Sequence, residues 1–502
     1  MPVNSKHPDY RDMEAKWRRC RDAACGTDAV HAAGPLYLPK LKDQDDESYN
    51  AYRLRAVFYN ATWRTISGLE GMIFRKPPVV EAPDRVKEML DDVTMSGVPL
   101  QLFAEQVVEE ALKEGRLGIL VDYPQADVNG MTLADAQAQN LRPMMQIYTA
   151  EQVINWKVGR VSNVSVLTMV VLEENVEAMV DAYASKKEKQ WRVLDLVGGR
   201  YRVRVYKIEL DKEVQVGGDV YPLMGGKPLD YIPFTFVGID DNTPDVDDPP
   251  LIDLVDMNMS HYRSTADLEH GAHFTGLPTP WIAGYTPEKE GERMYIGSSH
   301  AWIFRDPNAK AEYLEFKGEG LGTLKDLLDR KERQMAVLGA RMLEPQKKGV
   351  ESADSQSIHR KGEESMLAMA SSSISLAMEQ ALNWFAEWAG AGEDAVEFDL
   401  NRDFYPVPMT PDMLNALVAG WQAGAFSMQT LFDNLKAGDV IDEDTTLEDE
   451  QARIGDTPPS VKNQLAADPT LVPGATPPPA APPKKRMSIT GPSGQRYTVQ
   501  EE

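Results

Sequence analysis

His270 and His273 stand one helical turn apart, with Asp267 and Glu269 beside them and His261 further up the same stretch. Two imidazoles at i and i+3 can share a transition metal when further ligands converge on them. This H-x2-H spacing has no matched acidic or cysteine partner, so it specifies no metal site. The run Asp240 to Asp248 holds five aspartates in nine residues, an oxygen-rich loop of the sort a hard cation takes. It lacks the D-x-[DN]-x-[DN]-G spacing that wraps calcium and reads as a solvated turn into a helix. Cys20 and Cys25, spaced C-x4-C, are the only cysteines. Two thiols without a nearby Cys/His pair do not complete a zinc set and read as free thiols in a reducing compartment. No metal and no cofactor is expected.

Covalent and phosphoryl chemistry leave no mark either. The chain has no G-x-x-x-x-G-K-[ST], no G-x-G-x-x-G after a strand, no H-E-x-x-H and no G-x-S-x-G. Ser493, in Gly491-Pro492-Ser493-Gly494, is not a nucleophile elbow. No enzymatic activity is expected.

Lysines remain. Lys347 and Lys348 follow Gln346 in a polar loop, Glu344 to Val350, between two helical stretches. Before the loop, Leu321, Leu324, Leu328, Met335, Leu338 and Met342 repeat in steps of three and four, a stripe broken only by Lys331. Pro345 stops that helix, and Ser352 or Asp354 can cap the next. The second helix runs without proline to about Trp388, roughly 50 Å at 1.5 Å per residue. Ser371, Ser372, Ser373 and Ser375 form a small polar patch within it and predict a bend.

Composition sets the bounds. The 502 residues suffice for two or three domains, and 42% hydrophobic content can fill real cores. A net charge of −25 argues against a sequence-specific reader of DNA with a basic face. With no signal-peptide core and no apolar run near 18 residues, the expectation is a soluble, cytoplasmic chain.

Along the chain, residues 9 to 25 read as a helix around Met13 and Trp17, and Gly34 to Pro39 as a loop. One helix is expected from Asp46 towards Pro77, with Tyr49, Tyr52, Ala56, Tyr59, Trp63 and Ile66 as a stripe and Arg53, Arg55 and Arg64 on its flank. Such a stripe can stack bases, but aromatic residues at helical spacing read first as core. A helix over 101–114 closes at Gly115, and Gly118 to Tyr123 reads as a buried strand. The period then changes to two over 164–172, 191–195 and 201–205, with Gly198-Gly199 as a hairpin turn. Tyr231 to Val237 adds a strand whose Pro233 suggests an edge.

Between helices at 251–274 and 320–342 lie short strands at 279–283, 294–296, 301–304 and 313–316, interrupted by the charged loop Glu288, Lys289, Glu290, Gly291, Glu292, Arg293. A strand follows at 396–400. Thr410-Pro411 opens a helix whose buried face is Leu414, Leu417, Val418 and Trp421, and Ser427 starts another. After Thr457 the chain is rich in proline and alanine and reads as disordered, although Lys484-Lys485-Arg486 could touch DNA. The fold class is α+β.

This order of elements, with Gly34-Pro35-Leu36-Tyr37-Leu38-Pro39, Tyr49-x-x-Tyr52-x-x-Arg55-Ala56-x-Phe58-x-Asn60 and Gly71-x-Ile73-Phe74-Arg75-Lys76-Pro77-Pro78, resembles a subfamily of the portal proteins of tailed bacteriophages. Met409-Thr410-Pro411 and Gly424 to Leu431 resemble the same group's C-terminal helices. The resemblance covers residues 10 to 455 and implies a portal-like fold. Residues 1–250 are its wing, 251–274 and 318–342 stem helices, and 275–317 a β-containing clip. Residues 343–354 are a tunnel loop, 355–405 a long kinked helix with a return strand to the wing, and 406–455 a helical crown, before a tail at 456–502.

It also implies a ring of about twelve copies at one capsid vertex. That ring is the channel for packaging and ejection of double-stranded DNA, and docks the terminase large subunit, the major capsid or scaffold protein and a head-tail adaptor. Implied locations are the virion and, during assembly, the host cytoplasm, with no membrane partner. Gln346, Lys347 and Lys348 fall at the tunnel-loop position, and Glu288, Lys289, Glu290, Glu292 and Arg293 in the clip that faces terminase and neck. At −25 per chain, such a ring carries on the order of −300 and repels phosphates rather than capturing them. A different head-to-tail adaptor ring, or an enzyme whose site is assembled from distant residues, remain open as alternatives.

Overall fold

The computed structural model describes residues 2–124, 140–161, 163–276, 279–284, 302–304, 306–314, 319–340, 365–392, 394–404, 409, 411–438, 440–441, 445–456, 487–490 and 496–499. They fall in two compact units, Met1–Tyr405 and Pro406–Glu502. The class is mixed α+β, as expected.

The first unit opens with α1 (Pro8–Cys25), α2 (Thr27–Ala33), α3 (Asp46–Arg55), α4 (Ala61–Ile73), strand β1 (Val79–Glu81), α5 (Asp84–Lys87) and α6 (Leu100–Glu114). Helix α1 buries Tyr10, Met13, Trp17 and Cys20 at helical spacing. The expected single helix from Asp46 is two. Ala56 turns extended, at ψ 117, and Asn60 starts α4 afresh, its side chain accepting from the Trp63 amide. Tyr49, Tyr52, Ala56 and Ile66 are buried as the stripe requires, but the break turns Tyr59 and Trp63 partly outward, each 38% exposed. Gly115 ends α6 in the left-handed conformation, φ 79.

Two sheets follow. Strand β2 (Arg116–Asp122) is central in a three-stranded antiparallel sheet, with β3 (Met144–Thr149) on one side. The five-stranded meander comprises β4 (Val153–Val161), β5 (Val164–Met179), β6 (Ser185–Val197), β7 (Arg200–Glu209) and β8 (Lys212–Val220). Gly198 and Gly199 make the β6–β7 turn, both at positive φ (60 and 74), the conformation a tight hairpin demands. After the short pair β9 (Leu223–Met224) and β10 (Lys227–Pro228), β11 (Phe234–Gly238) pairs with β2 as the other edge of the three-stranded sheet. Phe234 lies across Gly118, where a Cβ would stand 2.0 Å from its ring, so β2 needs glycine there.

Next come α7 (Ile252–Gly276), β12 (Thr279–Ala283), β13 (Lys310–Leu314), α8 (Glu319–Ala340), α9 (Met366–Trp388) and β14 (Glu397–Asp399), the last paired with β1. Helix α9 is the most enclosed of these, burying Leu367, Ile374, Met378, Leu382 and Phe385 among others. It is shorter than expected: Ser365 is extended and caps it, accepting from the Ala368 amide, so no helix runs unbroken from the 352–354 region to Trp388. Ser352 and Asp354 lie outside the described residues. The serine patch behaves as the residue type allows, Ser372 and Ser375 donating back to the carbonyls of Ala368 and Ser371, at 3.0 and 2.7 Å. Helix α9 is nonetheless continuous.

Three buried clusters hold this unit. One centres on α4, α6, α9, β2 and β14; one joins the meander to Tyr10, Met13 and Trp17; one joins α1 and α3 to the first half of α7.

The second unit holds α10 (Pro411–Gln422), α11 (Met428–Ala437), α12 (Leu447–Asp456) and an antiparallel pair, β15 (Met487–Thr490) and β16 (Arg496–Val499). Two expectations are corrected here. The α10 face is not buried: Leu414, Leu417 and Val418 are half-buried and Trp421 is exposed, since within the described residues of this unit α10 meets little beyond α11. The tail beyond Thr457 is not wholly without structure, because alternating Met487–Thr490 and Arg496–Val499 pair across the Gly-Pro-Ser-Gly stretch. The acidic stretch before it enters α12, where Thr446 and Asp449 cap each other, the Thr446 hydroxyl donating at 2.6 Å to the carboxylate.

Candidate functional site: a helix pair carrying a hairpin

Helix α7 enters the body and then leaves it. Its first part buries Leu254, Val255, Met259, Tyr262 and Ala266, and no residue after Ala266 is buried. Its last ten residues, about 15 Å at helical rise, run beside α8 and end at β12. Strands β12 and β13 pair antiparallel, Thr279 opposite Leu314 and Ala283 opposite Lys310. Helix α8 then returns. Gly271 allows close approach of the two helices, since a Cβ there would stand 2.7 Å from Leu321 Cδ2. Among the residues of α8 whose burial is described, only Leu328 and Met335 are buried, and Lys325, Asp326, Asp329, Arg330, Glu332 and Arg333 are exposed. The result is a charged helix pair with a hairpin at its end. It is rooted in the body by the first half of α7 and by the end of α8, where Met335 joins the core cluster of α4, α6 and α9 and Gly339 lies against Thr65.

That root is polar. Asn258 is fully buried. Its Oδ1 accepts from the Thr62 amide (3.2 Å) and hydroxyl (3.0 Å), and its Nδ2 donates to the Tyr59 carbonyl (2.8 Å). One amide side chain thereby satisfies the backbone freed where α3 and α4 part. Lys331, the break in the α8 stripe, points into the seam and donates to Ser260 O (2.9 Å) and Ser264 Oγ (2.7 Å). Burial, then Arg263 and Arg330, push its ammonium below the usual lysine range. His261 lies buried 3.4 Å from Glu332 Oε1, and burial lowers its pKa against the pull of that carboxylate.

The metal-like histidines have other work. His270 sits edge-on to Tyr52 and Phe274, at 5.0 and 4.7 Å between centroids, while Asp267 accepts from the Tyr52 hydroxyl at 2.6 Å. Among the described residues no group of three or more His, Cys, Asp or Glu could hold a metal. Asp241 does not gather oxygens but caps its own turn, accepting from the Thr243 amide at 2.8 Å. Cys20 is buried, its thiol pushed up to about 12 by burial, and Cys25 is exposed. Arg53 donates to the His31 carbonyl, and Arg64 lies over the Tyr59 ring. No described helix is long and apolar enough to cross a membrane.

Gln346, Lys347 and Lys348, and Glu288, Lys289, Glu290, Glu292 and Arg293, lie outside the described residues. So does the expected strand at 294–296. Of the strand expected at 301–304, residues 302–304 are described and are not strand, because β13 forms further on, at Lys310. Sequence reasoning missed Asn258, which carries no motif. The interruption at Lys331 was visible, but its partners were not.

A family described as a domain of unknown function, DUF4055, matches residues 250–389, the helix pair with its hairpin, α9 and the segments between. No curated protein matches the chain. Among solved structures the chain is similar to one in the neck of an empty gene transfer agent particle computed with C6 symmetry. Identity there is 12% and the TM-score 0.36, over 83% of this chain and 99% of that one. A chain of the native gene transfer agent virion gives 11% and 0.33, over 79% and 94%. One in the native neck computed with C12 symmetry gives 11% and 0.33, over 80% and 98%.

Proposed function

We propose that this chain is a phage portal protein, a structural ring subunit rather than an enzyme. The observation that carries the reading is the excursion α7–β12–β13–α8, followed by α9 packed in an α+β body. A charged helix pair that leaves its own core suits a ring in which neighbouring copies cover one another's helices around a channel. In that ring α7 and α8 are the stem, 275–317 the clip, and 343–354 a tunnel loop bringing Gln346, Lys347 and Lys348 towards passing double-stranded DNA. Glu288, Lys289, Glu290, Glu292 and Arg293 would face the terminase large subunit and later a head-tail adaptor, and the body the major capsid or scaffold protein. Its places are the virion vertex and, before that, the host cytoplasm. Contacts with DNA would be electrostatic and would read no sequence.

Native mass spectrometry with negative-stain microscopy tests this on the purified full chain. The expected result is a ring of about twelve copies with a central hole, persisting in chelator. A compact monomer at micromolar concentration overturns it.

A further inference from the structure

A cleft of about 400 Å³ opens between α1, the turn at Gly34–Leu36 and α7. Three arginines converge on it, Arg18 and Arg19 from α1 and Arg263 from α7, around a single carboxylate, Asp256. Asp256 is taken: its Oδ1 lies 2.9 Å from Arg19 Nε. Arg18 and Arg263 are exposed and have no ion-pair partner among the described residues. Such a concentration of cations stands out in a chain with 78 acidic against 53 basic residues. The rim is not only charged. Leu36 is 54% exposed beside the arginines, and Met259 is buried in the wall.

We propose that this cleft is a contact surface for a carboxylate-bearing segment of a second copy of this chain, Arg18 and Arg263 each taking an aspartate or glutamate while Leu36 meets an apolar neighbour of those acids. The guanidinium fork matches a carboxylate in two parallel hydrogen bonds. The acid excess of this chain makes its own copies the nearest source of such groups. Nucleic acid phosphate fits less well: it leaves the exposed Leu36 unmatched and must approach a chain of net charge −25. The inference rests on the self-assembly proposed above, but not on the ring geometry.

The test compares the parent with Arg18→Glu/Arg263→Glu and with the neutral pair Arg18→Gln/Arg263→Gln, by sedimentation across a dilution series at low and high salt. The expected result is that both variants need roughly tenfold higher concentration to assemble, reversal more than neutralisation, with the difference shrinking as salt rises. Circular dichroism separates lost assembly from lost folding; if the reversed pair unfolds, the neutral pair decides. Folded variants that assemble at the parent's concentration overturn the proposal, as does a parent that is monomeric throughout. A parent that assembles without forming a ring, with variants still weakened, upholds the cleft and overturns the portal reading. A short duplex DNA is the control: if the variants lose DNA binding but assemble normally, the cleft serves phosphate and the proposal falls.

Discussion

Replacing Asn258 by alanine should loosen the root of the helix pair without touching its exposed part. The side chain makes three hydrogen bonds, two accepted from Thr62 and one donated to the Tyr59 carbonyl. All lie where α3 and α4 separate, and Asn258 and Thr62 are almost wholly buried. Each such bond contributes about 1 kcal/mol net, and a buried partner left alone costs at least that, so the loss is about 3 kcal/mol. An unfolding entropy of about 2.1 cal/mol/K per residue over the unit Met1–Tyr405 converts this to a drop of about 3–4 °C in Tm. Calorimetry at one protein concentration measures it, since assembly itself would shift Tm. Hydrogen exchange should localise the effect, with faster exchange of the Thr62 amide and the first turn of α4. A drop below about 1 °C, with unchanged exchange at that turn, would show that Asn258 does not hold the α3–α4 break.

Glu114 is buried, and burial, then Glu110 and Glu151, push its carboxyl up to about 8. The folded chain therefore holds a proton that the unfolded chain releases near the ordinary value of about 4.3. Its contribution is greatest at acid pH and is lost as pH rises to about 8. Glu114→Gln keeps an acceptor for the Ala150 amide, 3.1 Å away, so the fall in stability from pH 5 to pH 8.5 should become shallower; thermal melts at both pH values decide. Lys347→Ala/Lys348→Ala removes two charges per copy from the proposed tunnel loop. Assembly should survive while packaging or retention of DNA changes, most at low salt; unchanged packaging across a salt series removes these lysines from the channel.

Local rules made much of this fold legible. Gly115 ends α6 and Gly198-Gly199 turns β6 into β7, because those backbone conformations cost a side chain dearly. Helices α7 and α8 lie within two residues of their expected ends wherever those ends are described, and for α8 the reason is its apolar period of three to four, which survives any arrangement of neighbours. Of the positions that the portal resemblance implies, the tunnel loop 343–354 and the charged clip residues Glu288, Lys289, Glu290, Glu292 and Arg293 lie outside the described residues, while the clip strands β12 and β13 are described.

Tertiary structure decided the rest. A continuous aromatic stripe from Tyr49 to Ile66 specified one helix; the buried amide of Asn258, some two hundred residues later, supplies the partners that make a break at Ala56–Asn60 stable. Lys331 looked like a flaw in the α8 stripe until Ser260 and Ser264 were opposite it. Leu414, Leu417 and Val418 have the spacing of a core face, but burial requires a neighbour, and the described part of their unit offers little. Arg18, Arg19 and Arg263 share a cleft only because α1 crosses α7. Sequence spacing fixes which side chains share a face of one element; only packing fixes what that face meets.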